Sequence, residues 1–466
     1  MFAEMAEERA TPREWILNAG YEYRFELDPG ASLAIKHVTG QASTEYISEE
    51  TAMPAYANLH LALEAMRVRA LSHAQGSDEL ERTPPYDGDS ESAEPPRILI
   101  LGPPNSGKTS VAKILINYAV RAGQDWCPFL INVDPSEGGP MLPGTVSASP
   151  ISAPLQTSTP AHTLGSSSTS APTHVSSNSL LPLVYWYGHE GTKRNGLLLD
   201  RLIRNLGENV WDRLEDDPQG RASGVIVDTP ASLSASGTSG DHRQALIKAC
   251  VDAFRVNVIL VVGHEKLNVE MQRTYGSRMT VVKIPKSGGV VELDALYRSR
   301  IHKYQMHSYF YGERFSVPPG MPSLNTGSTN TGYIIGGEQN TDLALSPSST
   351  IISFSDLTIY RIGEETMAPT SALPIGATRV VSEMQPLLVD PAQPGSGLYN
   401  AVLALLAPPN PDESERYDEE ILDLHVVGFI VVTAIDIPNK RMTVLAPSQG
   451  SLAGRIVILG SFEWQE

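Results

Sequence analysis

The stretch Arg97-Ile98-Leu99-Ile100-Leu101-Gly102-Pro103-Pro104-Asn105-Ser106-Gly107-Lys108-Thr109 governs how the rest of the chain is read. From Gly102 onward it satisfies G-x-x-x-x-G-K-[ST] without a mismatch. The run before it, Arg97–Leu101, reads as a buried strand. After it, Thr109 to Arg121 carries Val111, Ile114, Leu115 and Tyr118 at helical spacing, which predicts an amphipathic helix. Strand, glycine loop and helix N-terminus together form an anion site, because backbone N–H groups converge where the helix dipole is positive. There Lys108 neutralises β- and γ-phosphate charge, and the Thr109 hydroxyl ligates Mg²⁺. These residues predict nucleotide binding.

Size and charge narrow the class. A chain of 466 residues exceeds what one core usually supports, so more than one domain is expected. The net charge is −18, from 53 Asp and Glu against 35 Lys and Arg. Such a surface repels phosphate backbones at long range, so nucleic-acid contact is expected to be weak or made through partners. The two cysteines, Cys127 and Cys250, form neither a disulfide framework nor a metal pattern, which fits a reducing, intracellular compartment. The start, MFAEMAEERATPREW, is acidic and lacks the apolar core of a signal peptide. The runs Ala401–Ala407 and Val426–Ala434 are too short to span a bilayer, so no membrane association is expected.

The pattern along the chain divides it. Residues 14–50 alternate apolar and polar positions around Asp28-Pro29-Gly30 and predict a small, shortened N-terminal β domain. Residues 51–96 read as a helix, Tyr56–Leu71, followed by an acidic, proline-containing linker. Residues 97–317 form the P-loop domain. Its further elements are strand Pro128–Val133, strand Leu183–Tyr187, helix Gly196–Gly207, strand Gly224–Val227, helix Gln244–Phe254 and strands Val256–Val262 and Met279–Ile284. Strands alternating with helices imply an α/β fold with a parallel sheet covered on both faces. Within it, residues 146–180 are rich in Ser, Thr and Pro, with too few bulky apolar residues to offset ordering, and are expected to be a disordered insertion. A second polar insertion covers 318–342, and residues 343–466 read as a β-rich C-terminal domain.

A bound nucleotide also needs an acid to hold the metal. Two strands end in one, Asp134 and Asp228, at the sheet edge that carries the P-loop. Guanine readers commonly use Asn-Lys-x-Asp. The only Asn-Lys pair here, Asn439-Lys440, is followed by Arg441 and Met442, so ATP is preferred to GTP.

The stretches GPPNSGKTSVAKILINYAVRAG, NVDPSEGGPMLPGT, PLVYWYGH, VVKIPKSGGVVE, YFYGERF, SFSDLTIYRIG and VVGFIVVTAID resemble the Clp/Grc group, a polynucleotide-kinase-like family of cleavage factors and RNA 5′-hydroxyl kinases. Within it the likeness is to the Clp subfamily, ATP-binding subunits of the pre-mRNA cleavage and polyadenylation factor (cleavage factor IA). The resemblance implies three domains: an N-terminal β domain, a central kinase-like P-loop domain and a C-terminal domain. It implies nuclear mRNA 3′-end processing, a place in the cleavage factor complex, and direct contact with the scaffold subunit that binds the polymerase C-terminal domain. By the same likeness Asn105, Ser106, Gly107, Lys108, Thr109 and Ser110 wrap the phosphates of ATP, and Glu22 meets the adenine. Thr109, Asp134 and Asp228 are the expected Mg²⁺ ligands.

The chain departs from the active kinases of this family. They carry Asp-x-Asp-x-Gly-Gln after the second strand, where this chain has Asn132-Val133-Asp134-Pro135-Ser136-Glu137. They carry a Trp after the Asp228-type strand, where this chain reads Thr229-Pro230-Ala231-Ser232. Base stacking contributes about 1–3 kcal/mol, so losing that platform weakens RNA binding. A block of N-terminal strands, including a base-contacting lysine, is also missing. The expected role is therefore an ATP-loaded, non-catalytic component of the cleavage complex. The alternative left open is an active RNA 5′-hydroxyl kinase using Lys108, Thr109, Asp134, Arg298 and Arg300.

Overall fold

Ile98, Leu99, Ile100 and Leu101 have no solvent exposure, as expected for a strand flanked by strands on both sides and helices on both faces. The computed structural model describes residues 22–27, 42–48, 50–74, 93–137, 141–155, 182–234, 240–311, 315–316, 339–340, 347–362, 384–393, 395–408, 418–447 and 450–465.

At the N-terminus β1 (Glu22–Leu27) pairs antiparallel with β2 (Ala42–Ser48). Helix α1 (Met53–Ala74) follows. It buries Tyr56, Leu63, Arg67 and Ala70, and the Tyr56 hydroxyl donates to the Pro285 carbonyl at 2.9 Å, so α1 is part of the central domain's helical layer.

The central domain runs β3 (Arg97–Leu101), α2 (Lys108–Arg121), β4 (Phe129–Asn132), β5 (Thr145–Pro150), β6 (Leu183–Trp186), α3 (Gly196–Glu215), α4 (Pro218–Ser223), β7 (Val225–Asp228), α5 (Gly240–Ala253), β8 (Val258–Val262), α6 (Glu265–Tyr275), β9 (Thr280–Ile284) and α7 (Ala295–Tyr311). The strand order is β6-β5-β4-β7-β3-β8-β9. Strands β4, β7, β3, β8 and β9 are parallel, whereas β5 runs antiparallel to both β4 and β6. The carboxyl ends of β3, β4 and β7 therefore lie side by side, which brings the P-loop and both strand-end acids together.

Strand β5 corrects the expectation of a disordered 146–180. Its Thr145–Pro150 backbone is laddered on both sides, and Val146 and Ala148 are buried. Ser147 and Ala148 earn their place by small size and by main-chain pairing, which composition does not register. Residues 156–180 of that tract lie outside the described residues.

Beyond α7, β10 (Phe315–Ser316) pairs with β11 (Gln339–Asn340). The remainder of the 318–342 insertion lies outside the described residues. The C-terminal domain comprises β12 (Ser348–Ser353), β13 (Leu357–Ile362), β14 (Pro386–Leu388), β15 (Ala401–Leu406), β16 (Val426–Asp436), β17 (Arg441–Ala446) and β18 (Arg455–Glu463). They form one sheet in the order β12-β17-β16-β15-β18-β13-β14. One face has its own core around Ile359, Leu403, Ile430 and Val457. The other shares a core with the central domain. Trp186 packs 5.2 Å from Phe429 and 5.8 Å from Phe462, ring centre to ring centre, and the Arg201 guanidinium pairs with Asp423 at 2.6 Å.

Candidate nucleotide-binding site

The loop between β3 and α2 is tight because two positions exclude a side chain. A Cβ on Gly102 would lie 2.6 Å from Ser106 Oγ and 3.3 Å from the Val262 carbonyl oxygen. Gly107 has φ +86°, and a Cβ there would meet Val290 at 2.9 Å. Asn105 adopts φ 54°, one of the left-handed conformations that asparagine tolerates. Helix α2 then starts at Lys108 with no side-chain cap, leaving its first N–H groups without intrahelical partners and facing the loop. Lys108 is buried and its Nζ donates back to the Pro103 carbonyl at 3.3 Å. Ser110 is exposed.

The carboxylates converge on Thr109. Its Oγ1 donates to Asp228 Oδ2 at 2.5 Å and lies 3.3 Å from Glu137 Oε2. Asp228 ends β7 beside Asn132 of β4, in register. Asp134 follows β4, and its Oδ1 accepts from the Ser136 N–H and hydroxyl at 3.0 and 2.6 Å. Burial, reinforced by the Glu137 charge, pushes the Asp228 carboxyl up to about 7, against the pull of Lys108 and of the Thr109 hydrogen bond. Burial followed by Glu137 also raises Asp134, while the two Ser136 bonds oppose the shift. Lys113, buried under the same acids, is driven down by burial to about 8, and Glu137 and Asp228 limit the fall.

The site fits a phosphate chain with a cation. Two polar atoms, Ser106 Oγ and Asp228 Oδ1, are buried there with no partner among the described residues, and a helix N-terminus faces the same concavity. Among the described residues no group of three or more His, Cys, Asp or Glu could by itself hold a metal ion.

Other predicted residues fare unequally. Arg298, in the first turn of α7, reaches the loop: its Nη2 donates to Asn105 Oδ1 at 2.8 Å. Arg300 does not. It is exposed, with its guanidinium 6.0 Å from the Tyr297 ring centre, because residues two apart on a helix point to different sides. Glu22 pairs with Ser48 across β1 and β2, and its side chain lies outside the described residues. Ser232, which closes the stretch Thr229–Ser232, bonds Thr192, hydroxyl to hydroxyl, at 2.9 Å. Glu137 was missed as a site residue; its one signal was its place three positions after Asp134.

Three family models match the chain. Residues 102–312 match the P-loop domain model of the mRNA cleavage and polyadenylation factor CLP1. Residues 345–466 match the pre-mRNA cleavage complex II protein Clp1 model, and 37–70 match the N-terminal β-sandwich domain of polyadenylation factor. The chain is 61% identical to the mRNA cleavage and polyadenylation factor CLP1 of Laccaria bicolor, over 97% of this chain and 98% of that one. It is 34% identical to the Mycosarcoma maydis factor of the same name, over 92% and 86%. A solved complex of wild-type Clp1p with Pcf11p superposes with a TM-score of 0.66 at 26% identity, covering 91% of this chain and 82% of that one. A second structure, of an extended Pcf11p–Clp1p interface and ATP loss in a point mutant, gives 0.68 at the same identity and coverage. Among the described residues no helix is long and apolar enough to cross a membrane.

Proposed function

The chain belongs to the CLP1 family of mRNA cleavage and polyadenylation factors, and from that premise we propose that it acts in the nucleus as an ATP-holding, non-catalytic subunit of the pre-mRNA cleavage complex. The observation that carries the reading is a nucleotide cradle beside a strand end with no aromatic residue from Thr229 to Ser232: Thr109 and Asp228 are joined at 2.5 Å, while Ser232 is joined to Thr192.

In this reading the N–H groups from Asn105 to Ser110 bind the phosphates. Lys108 exchanges the Pro103 carbonyl for β- and γ-phosphate oxygens. Thr109 and Asp228, with Asp134 beside them, would hold a Mg²⁺ that would neutralise phosphate charge. Both Ser136 bonds fall on Asp134 Oδ1 and hold this buried carboxylate in one orientation. Folding then gains RT ln(1 + [L]/Kd) from the ligand, about 4 kcal/mol at a thousandfold excess over Kd. The partner is the scaffold subunit that binds the polymerase C-terminal domain; a solved complex of Clp1p with Pcf11p supports a protein partner, and the charge of −18 favours contact with protein over contact with RNA.

The test uses purified protein without added nucleotide. Denaturation should release intact ATP, and labelled 5′-hydroxyl RNA with Mg-ATP should stay unlabelled. Transfer of label to RNA, abolished by Lys108→Ala, would refute the non-catalytic reading.

A further inference from the structure

Helix α7 touches the phosphate loop at one end and the C-terminal domain at the other. In its first turn the Arg298 fork spans two acceptors, Asn105 Oδ1 at 2.8 Å and Glu137 Oε1 at 3.4 Å. One turn later His302 Nε2 donates to the Ser136 carbonyl at 2.6 Å, and Gln305 Nε2 donates to the Glu137 carbonyl at 3.2 Å. Glu137 therefore meets α7 through both side chain and backbone, while its other carboxylate oxygen lies 3.3 Å from Thr109 Oγ1. Ahead of the helix, Val290 covers the position where Gly107 lacks a Cβ. The segment from Val290 to Arg298 thus lies across the mouth of the loop.

The geometry points to Glu137 as a positioning residue that, through Arg298 and Asn105, fastens α7 over the phosphate loop and slows the escape of bound nucleotide. This rests on the nucleotide-holding reading above. A planar guanidinium with several donors is suited to bridging an amide and a carboxylate, and a lysine could not hold both in one geometry. A nucleotide under this bridge leaves only when the bridge opens. At its far end α7 is anchored: Tyr309 Oη accepts the Phe429 N–H at 2.9 Å, and Phe310 stacks on Trp464 at 5.2 Å. The helix therefore opens against a fixed C-terminal end, which confines the motion to its first turns.

Release of a preloaded fluorescent ATP analogue, chased with excess unlabelled ATP, tests this on the full chain. Glu137→Gln should speed release about tenfold, as expected for one charge-assisted bridge, with Mg²⁺ and equally in EDTA. Arg298→Gln should do the same, and the double variant should release no faster than either single one. Since Arg298 and Glu137 are 30% and 40% exposed, added salt should speed release from wild type more than from Glu137→Gln. Release from Glu137→Gln at the wild-type rate would overturn the proposal. So would acceleration confined to Mg²⁺ buffer, which would make Glu137 a metal ligand, or multiplicative effects in the double variant. Failure of the wild type to retain the analogue at all would instead overturn the nucleotide reading, and the fastening with it.

Discussion

Substituting Gly460 by alanine tests the joint between the central and C-terminal domains. A Cβ at Gly460 would fall 2.6 Å from Trp186 Cζ2, 2.7 Å from the Gly188 carbonyl oxygen and 2.9 Å from Gly188 Cα. Two of those three atoms are backbone. The third belongs to a ring held 5.2 Å from Phe429 and 5.8 Å from Phe462, centre to centre, so no flexible side-chain end can yield. Overpacking of this kind costs about 1–3 kcal/mol. At about 2–4 °C per kcal/mol for units of this size, a mid-range cost of about 2 kcal/mol lowers the melting midpoint by about 4–8 °C. Gly450 is the matched control, because a Cβ there meets nothing within 4 Å among the described residues. Gly450→Ala should stay within about 0.5 kcal/mol of wild type. Scanning calorimetry of the three proteins under one nucleotide condition decides. A Gly460→Ala midpoint that coincides with the Gly450→Ala midpoint would refute the close approach of Trp186, Gly188 and Gly460, and with it the shared core.

Three further outcomes follow from named contacts. Lys108→Ala should strip nucleotide from the purified protein while leaving it folded, lowering affinity at least tenfold through loss of a charge-assisted contact; equilibrium binding of the fluorescent ATP analogue checks this. Arg67→Ala removes a buried guanidinium that donates to the Ser223 carbonyl at 2.9 Å and pairs with Glu64 at 3.3 Å, and should destabilise by about 3 kcal/mol in denaturant titration. His189 is buried against Ser461, and burial followed by the Arg194 charge pushes its pKa down from the usual 6.5 to about 4. The unfolded chain therefore binds the extra proton first. The stability associated with neutral His189 is complete above pH 6.5 and is lost as the pH falls towards 4, up to about 3 kcal/mol. His189→Gln should flatten the wild-type stability curve across that window, and parallel curves for the two proteins would contradict the assignment.

The sequence alone determined the nucleotide cradle, the family and the α/β class. A phosphate loop is a local device: its strand, glycines, lysine and helix start lie within Arg97 to Arg121, and φ/ψ permission and helical period are written in the same few residues. The helices α1, α2, α3 and α5 and the strands of the parallel sheet were legible for the same reason, since apolar periodicity reports local burial. What composition could not report was pairing. The Ser- and Ala-rich β5 is ordered by ladders to β4 and β6, and nothing in its own side chains announces them. Tertiary structure alone decided which long-range groups reach the loop. Arg298 and Arg300 are equivalent in sequence, but the phase of α7 turns one to Asn105 and the other to solvent. Glu137, read in sequence only as a departure from a family pattern, became the hub that joins Thr109, Arg298 and α7, because the turn after Asp134 folds it back over the mouth of the loop. Contacts between residues 28 and 161 positions apart are set by how the strands order in the sheet, and that order depends on every element packing at once.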